Sequence, residues 1–519
     1  MDNKLLSALQ DEGNFTYTEN SAVTHKTSKS AVVDYFFMGA SLRTQPPQNK
    51  YNLFRAAFEE DPNLALKILF YTRDIRGGQG ERQSFRDIFI QYASEFGSTN
   101  TVKKLMNQIP EYGRWDDLVE IVASPMTPTA VAMYGAKIIQ NQLLKDINND
   151  NPSLLGKWLP SINASDKTRK KAFTLLRFLK IVGPSYGYRI DLNRGDFSRY
   201  RKMVSKLREK INIVETNLTE QNWDKINYEH VPSVAMMKYR KAFIRCDSGR
   251  FTEYISDVKS GTKKINTGTL YPYDVVRPIL ESLYKDFMPE EREALNTAWE
   301  NLPNYLPENE NSLVVCDTSG SMYPFAITVS TSLALYMAER NKGAFHNHFI
   351  TFSGDPEFQK IQGKDLVEKI TNLSQAEWGG NTDIQAVFEV ILDTAVLCKI
   401  PKEDMPSRIY IISDMEFDQA CTLNYFGFSK RSKRSQTNYS LIRETYAAAD
   451  YKMPELVFWN VEARNTHTPI TMDDNGVLLV GGCSPSILKN VLGKSFVTPL
   501  DVVKDTVDSP RYEQIRFYD

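Results

Sequence analysis

The 519-residue sequence is poor in the residues that build disulfide scaffolds and zinc sites. It contains five cysteines and five histidines, and no two cysteines form a Cys-x-x-Cys pair. A scattered, odd set of cysteines argues against a disulfide framework and favours a reducing compartment. The sequence also lacks a run of about 18 apolar residues and a basic start followed by an apolar stretch, so we expect neither a membrane span nor a secretion signal. These absences predict a soluble, cytoplasmic protein.

Signatures of catalysis are also missing. No candidate nucleophile is accompanied by a local base. The glycine-bearing stretch "RGGQGERQ" is followed by no Lys-Ser or Lys-Thr pair and preceded by no strand-like run, as a phosphate-binding loop would require. We therefore predict that the protein is not an enzyme.

Composition and charge point to a folded protein with two unlike halves. Apolar residues make up 41% and charged residues 24%, which is ordinary globular usage, and the length predicts two or more domains. The net charge of −1 conceals an excess of seven positive charges in residues 1–300 and of eight negative charges in residues 301–519. Residues 151–250 hold 21 basic and 9 acidic residues. A field of that strength favours a polyanionic ligand.

The hydrophobic pattern changes once along the chain. Residues 52–299 read as amphipathic helices with short turns, which predicts irregular helical repeats of the stacked helix-pair kind. The stretch "LPNYLPENENS" combines two prolines with acidic and amide residues, so we place a linker at residues 303–311. Beyond it, short apolar runs alternate with helical segments, a pattern typical of a mostly parallel sheet covered on both faces. The predicted domains are therefore a helical repeat at 1–302 and a doubly wound α/β domain at 312–519.

Oxygen-bearing side chains follow the first predicted strand of the α/β domain. The stretch "SLVVCDTSGSMYPF" places Asp317, Ser319 and Ser321 on one loop, while Thr382 precedes a helix and Asp414 ends another strand. Carboxylate and hydroxyl oxygens at one sheet edge suit Mg²⁺, with Mn²⁺ or Ca²⁺ as alternatives. The pattern resembles the metal-ion-dependent adhesion site of von Willebrand factor A domains, and the resemblance implies that these five residues bind the ion while a partner protein adds a carboxylate. The alternative is a polar loop whose side chains hydrogen-bond one another.

Four fragments of the N-terminal half resemble the TROVE module of the Ro ribonucleoprotein family. They are "TENSAVTHKTSKSAVVDYFFMGASLR", "YTRDIRGGQGERQSFRDIF", "YGRWDDLV" and "HVPSVAMMKYRKAF". The chain is identified as similar to an uncharacterised TROVE-like branch of bacteria, phages and plants. The resemblance implies HEAT-like repeats that close into a ring, followed by the A domain, with non-coding or structured RNA carrying single-stranded ends as the ligand.

Clustered basic residues give this RNA-binding hypothesis its candidate side chains. Phosphate groups are bound by lysine and arginine, and neighbouring aromatic rings stack on unpaired bases. The candidates are Lys167, Arg169, Lys170, Lys171, Arg177, Arg201, Lys202, Lys206, Lys238, Arg240 and Lys241. The alternative for each of them is a solvated helix face.

Two functions from different classes remain open on the sequence. The first is an RNA-binding, Ro-like protein that scaffolds or quality-controls non-coding RNA and has a metal-dependent protein-interaction site. The second is a metal-dependent interaction or structural-assembly protein, for example one encoded by a phage, that does not bind RNA.

Overall fold

The fold is described by a computed structural model. The residues it describes are 12–182, 197–283, 285–308, 310–352, 356–374, 382–418, 423–425, 428–430, 437–488 and 498–518. Within them, a helical part is followed by an α/β part, as the pattern of the sequence predicts.

The helical part is a succession of helices joined by short connections. Its helices are α1 (Ala31–Met38), α2 (Pro47–Glu60), α3 (Pro62–Arg73), α4 (Gln83–Phe96), α5 (Asn100–Tyr112), α6 (Trp115–Ala123), α7 (Thr129–Ile147), α8 (Leu155–Trp158), α9 (Asp166–Val182), α10 (Ser198–Ile211), α11 (Val214–Thr219), α12 (Ser233–Cys246), α13 (Ser248–Lys259), α14 (Pro272–Leu280) and α15 (Pro289–Glu300). The start of α3 shows how the sequence sets these bounds. The Asp61 side chain accepts from the Leu64 amide, and Pro62 occupies the first helical position, where no amide hydrogen is needed.

The α/β part contains a mixed sheet. Its strands are β3 (Ser312–Asp317), β4 (His348–Phe352), β5 (Glu357–Lys360), β6 (Arg408–Ser413), β9 (Glu455–Asn460) and β10 (Val477–Gly481), in the spatial order β10-β9-β6-β3-β4-β5. All neighbours pair in parallel except β4 and β5. Every residue of β3 and of β6 is buried, as expected of strands covered on both faces.

Helices separate most of these strands along the chain, although the described residues between β4 and β5 and between β9 and β10 contain none, and short strand pairs lie outside the sheet. The helices are α16 (Ala326–Arg340), α17 (Leu366–Leu373), α18 (Ile384–Leu397), α19 (Asn438–Ala448) and α20 (Pro499–Val507). The outlying antiparallel pairs are β1 (Phe15–Tyr17) with β2 (Val23–His25), and β7 (Leu423–Tyr425) with β8 (Phe428–Lys430). Among the described residues, no helix has both the length and the apolar composition needed to cross a membrane.

One hydrophobic core runs through both parts. Helix α1 packs against strand β10 and helix α20, and α14 packs against α16. The close approach of α1 to the sheet depends on Gly481, because a Cβ atom there would lie 1.8 Å from the Phe37 carbonyl oxygen. A smaller, separate core joins buried apolar residues between Val214 and Ala294.

The predicted linker packs against its surroundings. The Tyr336 hydroxyl donates to the Pro303 carbonyl over 2.6 Å, and the buried Glu310 carboxylate lies 3.4 Å from the Arg408 guanidinium. Residues 303–308 and 310–311 are therefore tied to the α/β part by polar contacts.

Candidate functional site

The two predicted carboxylate ligands lie at the carboxyl ends of β3 and β6, the neighbouring strands at which the strand order of the sheet reverses. Asp317 ends β3, and Asp414 directly follows β6, the strand beside it. From β3 the chain moves outward to β4 and β5 and then returns to β6 on the other side of β3. Crossovers that leave in opposite directions open a crevice at the carboxyl ends of the two strands, which is the usual ligand position in such sheets.

Asp317 is held rigidly at this edge. One carboxylate oxygen accepts from the Ser319 amide over 2.9 Å, and the other accepts from the Ser413 hydroxyl over 2.5 Å. Ser319 and Ser321 place their hydroxyl oxygens 2.9 Å apart. Burial raises the pKa of Asp317, and the hydrogen bonds from Ser413 and Ser319 act in the opposite direction.

Asp414 has one oxygen without a hydrogen-bond partner. Its Oδ1 accepts from the Glu416 amide over 3.2 Å, whereas its Oδ2 is buried and makes no hydrogen bond among the described residues. Burial, and next the charge of Asp317, raise the pKa of Asp414 to about 7. A buried carboxylate oxygen of this kind requires a proton or a cation.

Thr382 reaches the same edge from the start of α18. Its amide donates to the Asp418 carboxylate over 2.8 Å, and its hydroxyl accepts from the Asn20 side-chain amide over 3.1 Å. The glycine-bearing loop that precedes it, residues 378–381, lies outside the described residues.

The five predicted ligands fit a small, hard cation. They offer two carboxylates and three hydroxyls, which are the oxygen donors that Mg²⁺ takes together with water. In the part of the chain that the structure describes, no three His, Cys, Asp or Glu side chains come together as a metal cluster, so an ion here would depend on the two aspartates together with hydroxyl and water oxygens. The Oδ2 of Asp414 has no hydrogen-bond partner among the described residues and only the Arg464 guanidinium 3.7 Å away, and this is the observation that favours a further cation at this edge.

The N-terminal segment Thr18–Ser21 crosses this edge, a contact that sequence reasoning missed. Its Thr18 hydroxyl donates to the Phe417 carbonyl over 2.6 Å, and its Glu19 amide donates to the Glu416 carboxylate over 2.7 Å. Burial pushes the pKa of Glu416 up, but the hydrogen bond and charge of His467 and the hydrogen bonds from Glu19 and Asn465 hold it below its usual value. No local motif signals these contacts, because the partners lie nearly 400 residues apart, 399 for Thr18 and Phe417.

A large cavity of about 1700 Å³ opens among the helices. Its wall is formed by residues from the ends of α3 and α5, from α6, α8, α10 and α12, and from the start of α14. The basic side chains along it are Arg73, Arg76, Arg82, Arg114, Lys157, Arg201, Arg208, Lys225 and Lys238. The aromatic ones are Trp115, Trp158, Tyr200, Tyr239, Tyr271 and Tyr273, and the acidic ones are Glu81, Glu209, Glu215, Glu220 and Asp274.

Two arginines show how the wall holds its charge. The Arg114 guanidinium stacks over the Trp158 ring at 4.2 Å, and its Nε lies 3.0 Å from Asp116. The Arg208 guanidinium donates to two carbonyls and to the Ser161 hydroxyl, all of which are neutral acceptors. Burial lowers the pKa of Arg208, against the fields of Tyr200 and Glu215. The wall thus presents a positive charge that no hydrogen-bonded carboxylate among the described residues neutralises.

The predicted RNA-binding side chains do not share one surface. Arg201 and Lys238 line the cavity. The others that are exposed lie away from its wall: Lys167, Arg169, Lys170, Arg177, Lys202, Lys206 and Lys241. Lys171 is half-buried and pairs with Glu120. Sequence reasoning thus did not separate the side chains that share a concave surface from those on outer faces.

The prediction for Arg240 is corrected by its burial. Its guanidinium donates to the Glu291 carboxylate over 2.9 Å and to the Met237 carbonyl over 2.7 Å. The side chain therefore ties α12 to α15 inside the smaller core and is not presented to a ligand.

Comparison with known proteins adds families without an assigned activity. The profile of a family described as "Domain of unknown function (DUF2828)" matches residues 18–142 and 129–310. A second profile, "Domain of unknown function (DUF7788)", matches residues 311–514. The sequence is 27% identical over 525 residues to the "Uncharacterized protein L728" of Acanthamoeba polyphaga mimivirus, an alignment that covers 94% of this chain and 86% of the relative.

Proposed function

Because the chain belongs to the family described as domain of unknown function DUF2828, whose description assigns no activity, we propose a function from the geometry of its two candidate sites. The protein is an RNA-binding, Ro-like protein that scaffolds or quality-controls non-coding RNA. The α/β part adds a divalent-metal-dependent site for a protein partner.

The cavity among the helices carries the RNA half of this proposal. Its wall has nine basic side chains, of which Arg73 is paired with Asp117, against five acidic ones among the described residues, and six aromatic side chains also line it. Single-stranded nucleic acid is bound by positive charge along the backbone and by stacking of unpaired bases on aromatic rings. A volume of about 1700 Å³ leaves room for several nucleotides of a single-stranded end. The exposed basic residues on the outer faces would contact the structured part of such an RNA.

The sheet edge carries the protein-interaction half. Asp317, Ser319, Ser321, Thr382 and Asp414 would hold Mg²⁺, or alternatively Mn²⁺ or Ca²⁺, through hard oxygen donors. The bound ion would supply a positive centre for a carboxylate of a partner protein. Because Asp317 and Asp414 are buried, water screens their charges weakly, and their attraction for a cation is correspondingly strong.

Salt dependence tests the RNA half. The ligand is an RNA hairpin with a single-stranded tail, titrated at several salt concentrations. The double reversal Arg201→Glu with Lys238→Glu is expected to weaken binding, because each lost phosphate contact in a single strand reduces the slope of log affinity against log salt by about 0.7. A matched double reversal at exposed lysines of the α/β part, Lys360→Glu with Lys402→Glu, should change neither the affinity nor the slope.

Two results would contradict the RNA half. One is failure of the wild-type protein to bind the RNA at low salt, and the other is a cavity variant that binds with the wild-type slope. Either result favours the alternative of a metal-dependent interaction or structural-assembly protein without RNA. The variant Ser319→Ala is expected to keep the wild-type slope, because it alters only the acidic sheet edge.

Calorimetric titration with Mg²⁺ and Mn²⁺ tests the metal half. Asp317→Ala removes an anionic ligand, so binding should weaken at least about tenfold, whereas Asp450→Ala, at an exposed carboxylate of the same part, should leave it unchanged. Equal affinities of wild type and Asp317→Ala would exclude this site.

A further inference from the structure

Arg464 joins the candidate metal site to the N-terminal segment. Its Nε lies 3.7 Å from Oδ2 of Asp414, the oxygen that makes no hydrogen bond among the described residues. One of its terminal nitrogens donates to the Ser321 carbonyl. The other terminal nitrogen lies 3.6 Å from the Glu19 carboxylate. One guanidinium thus contacts two of the predicted ligand residues and a residue of the helical part's N-terminal segment.

The guanidinium and a divalent ion compete for the same carboxylate oxygen. Oδ2 of Asp414 belongs to a side chain that is only 1% exposed, so its charge is not met by bulk water. An ion bound to that oxygen at about 2.1 Å would face the positive charge of Arg464 across a few ångströms of poorly screened space. Because the two cations repel each other, a divalent ion that binds Oδ2 weakens the interaction of Arg464 with the same oxygen.

The N-terminal segment forms a cap over this edge, defined here as residues Thr18–Ser21. Asn20 donates from its side-chain amide to the Glu416 carbonyl over 2.7 Å and to the Thr382 hydroxyl over 3.1 Å. The Glu19 carboxylate contacts Arg464 and accepts from the side-chain amide of Asn465 over 3.1 Å. Side chains of the metal edge therefore hold two residues of the cap, Glu19 and Asn20, and the Phe417 carbonyl holds Thr18.

We propose that Arg464 is an internal cation that a divalent ion displaces from Asp414, and that this displacement loosens the cap at Glu19. The inference rests on the metal site of the proposed function and names its regulation. Arg464 lowers the affinity of the site for the ion, and the ion in turn weakens the hold on the cap, since coupling between two binding events is reciprocal.

Metal affinity of the full chain tests the displacement. Arg464→Gln removes the competing charge, so Mn²⁺ should bind about tenfold or more tightly than to wild type in calorimetric titration. Arg464→Lys keeps the charge and should stay within about threefold of wild type. The matched control is Arg443→Gln, which removes the same charge at a 57% exposed arginine paired with Asp474, and it should bind Mn²⁺ like wild type.

Hydrogen exchange provides a second readout. Addition of Mn²⁺ to wild type should speed exchange at the amides of residues 19–22, whereas Arg464→Gln should show fast exchange there with or without the ion. The proposal is overturned if Arg464→Gln binds Mn²⁺ no more tightly than wild type, and equally if Mn²⁺ leaves the cap's exchange unchanged in wild type.

The outcomes separate this inference from the metal site itself. If Asp317→Ala abolishes Mn²⁺ binding but Arg464→Gln has the wild-type affinity, the metal site stands and the displacement is wrong. If neither wild type nor Arg464→Gln binds Mn²⁺, the metal site fails and the inference fails with it. If only Arg464→Gln binds, the arginine blocks the site in wild type, so the five ligand residues can hold an ion but the displacement of Arg464 by the ion is wrong.

Discussion

Asp414 is the residue at which burial and charge oppose each other most directly. Burial, and next the charge of Asp317, raise its pKa, and the Ser321 hydroxyl, the Glu416 amide and Arg464 act against the rise, so that the pKa is about 7. In the absence of a divalent ion, the folded protein therefore retains a proton at Asp414 up to neutral pH. The ordinary value of this carboxyl is 3.8, so the unfolded chain releases the same proton well below neutrality.

The first stability prediction follows from this difference at Asp414. Between pH 4 and pH 7 the folded state binds a proton that the unfolded state has lost, so stability falls as the pH rises through that window. Asp414→Asn removes the titrating group and keeps an acceptor for the Glu416 amide. We expect it to be about 1–3 kcal/mol more stable than wild type at pH 8 in EDTA, with the gain shrinking towards pH 5. Urea unfolding at the two pH values measures this.

The exposed Asp450 supplies the control for that measurement. Asp450→Asn should unfold like wild type at both pH values, because water hydrates that carboxylate in the folded protein. An Asp414→Asn variant less stable than wild type at pH 8 would show that Arg464, 3.7 Å from Oδ2, compensates the Asp414 charge fully in the folded protein.

At the scale of elements, a buried ion cluster joins helices α3, α4 and α6. The Asp117 carboxylate lies 2.7 Å from the Arg73 guanidinium on one side and 2.7 Å from the Arg86 guanidinium on the other. The same carboxylate accepts from the Arg114 amide over 2.8 Å, which caps the start of α6. The Gly-Arg-Trp-Asp-Asp stretch thus serves packing through its second aspartate.

We expect replacement of Asp117 to lower the stability of the protein strongly. Asp117→Asn leaves two buried guanidinium groups without their shared anion, so the free energy of unfolding should fall by about 3–5 kcal/mol. Thermal or urea unfolding followed by circular dichroism measures the loss. Asp166→Asn breaks a pair of exposed ion pairs on α9 and should change stability little. A similar effect of both variants would mean that the buried cluster contributes no more than surface charges do.

Some elements could be predicted from the sequence and others could not. The buried strands β3 and β6 are continuous apolar runs, and the helices show a clear apolar stripe, so their type follows from periodicity. Strand β5, Glu357–Lys360, is polar and exposed at the sheet edge, so it carries no such signal. Strands β1 and β2 have three residues each, which is too short for a period to appear.

The candidate sites differ in the same way. Asp317, Ser319 and Ser321 lie on one loop, and Asp414 follows a recognisable strand, so their convergence could be expected from strand order. Arg464 could not be expected, because it lies in an irregular segment with no motif. The cavity wall could not be predicted either, since its residues come from helices far apart in the chain and basic residues alone do not reveal which face is concave.

At the scale of the whole molecule, we expect the two parts to unfold together because α1 and β10 are in close contact. Gly481→Ala places a methyl group 1.8 Å from the Phe37 carbonyl oxygen, where only backbone movement can relieve the clash. We expect a loss of about 1–3 kcal/mol. Hydrogen exchange should rise together at Ala31–Met38 and Val477–Gly481, because the damage lies in their shared contact.

Gly249 is the matched control for this substitution. A Cβ atom there meets no atom within 4 Å, and the residue lies in helix α13, so Gly249→Ala should be neutral or stabilise by up to about 1 kcal/mol. If Gly481→Ala is tolerated as well as Gly249→Ala, the helical and α/β parts are less tightly joined than their contacts indicate.

Both ends of the described chain make contacts with the opposite part, and this has a consequence for synthesis on the ribosome. The Thr18 hydroxyl bonds to the carbonyl of Phe417, 399 residues later, and the amide of Phe517 bonds to the side chain of Asn63. At about 5–20 residues per second, the segment around Thr18 waits about 20 to 80 seconds after its own translation before Phe417 exists. The native contacts of the N-terminal segment therefore form only after the α/β part is translated, and a frameshift before the codon of Phe417 would deprive this early segment of its partners.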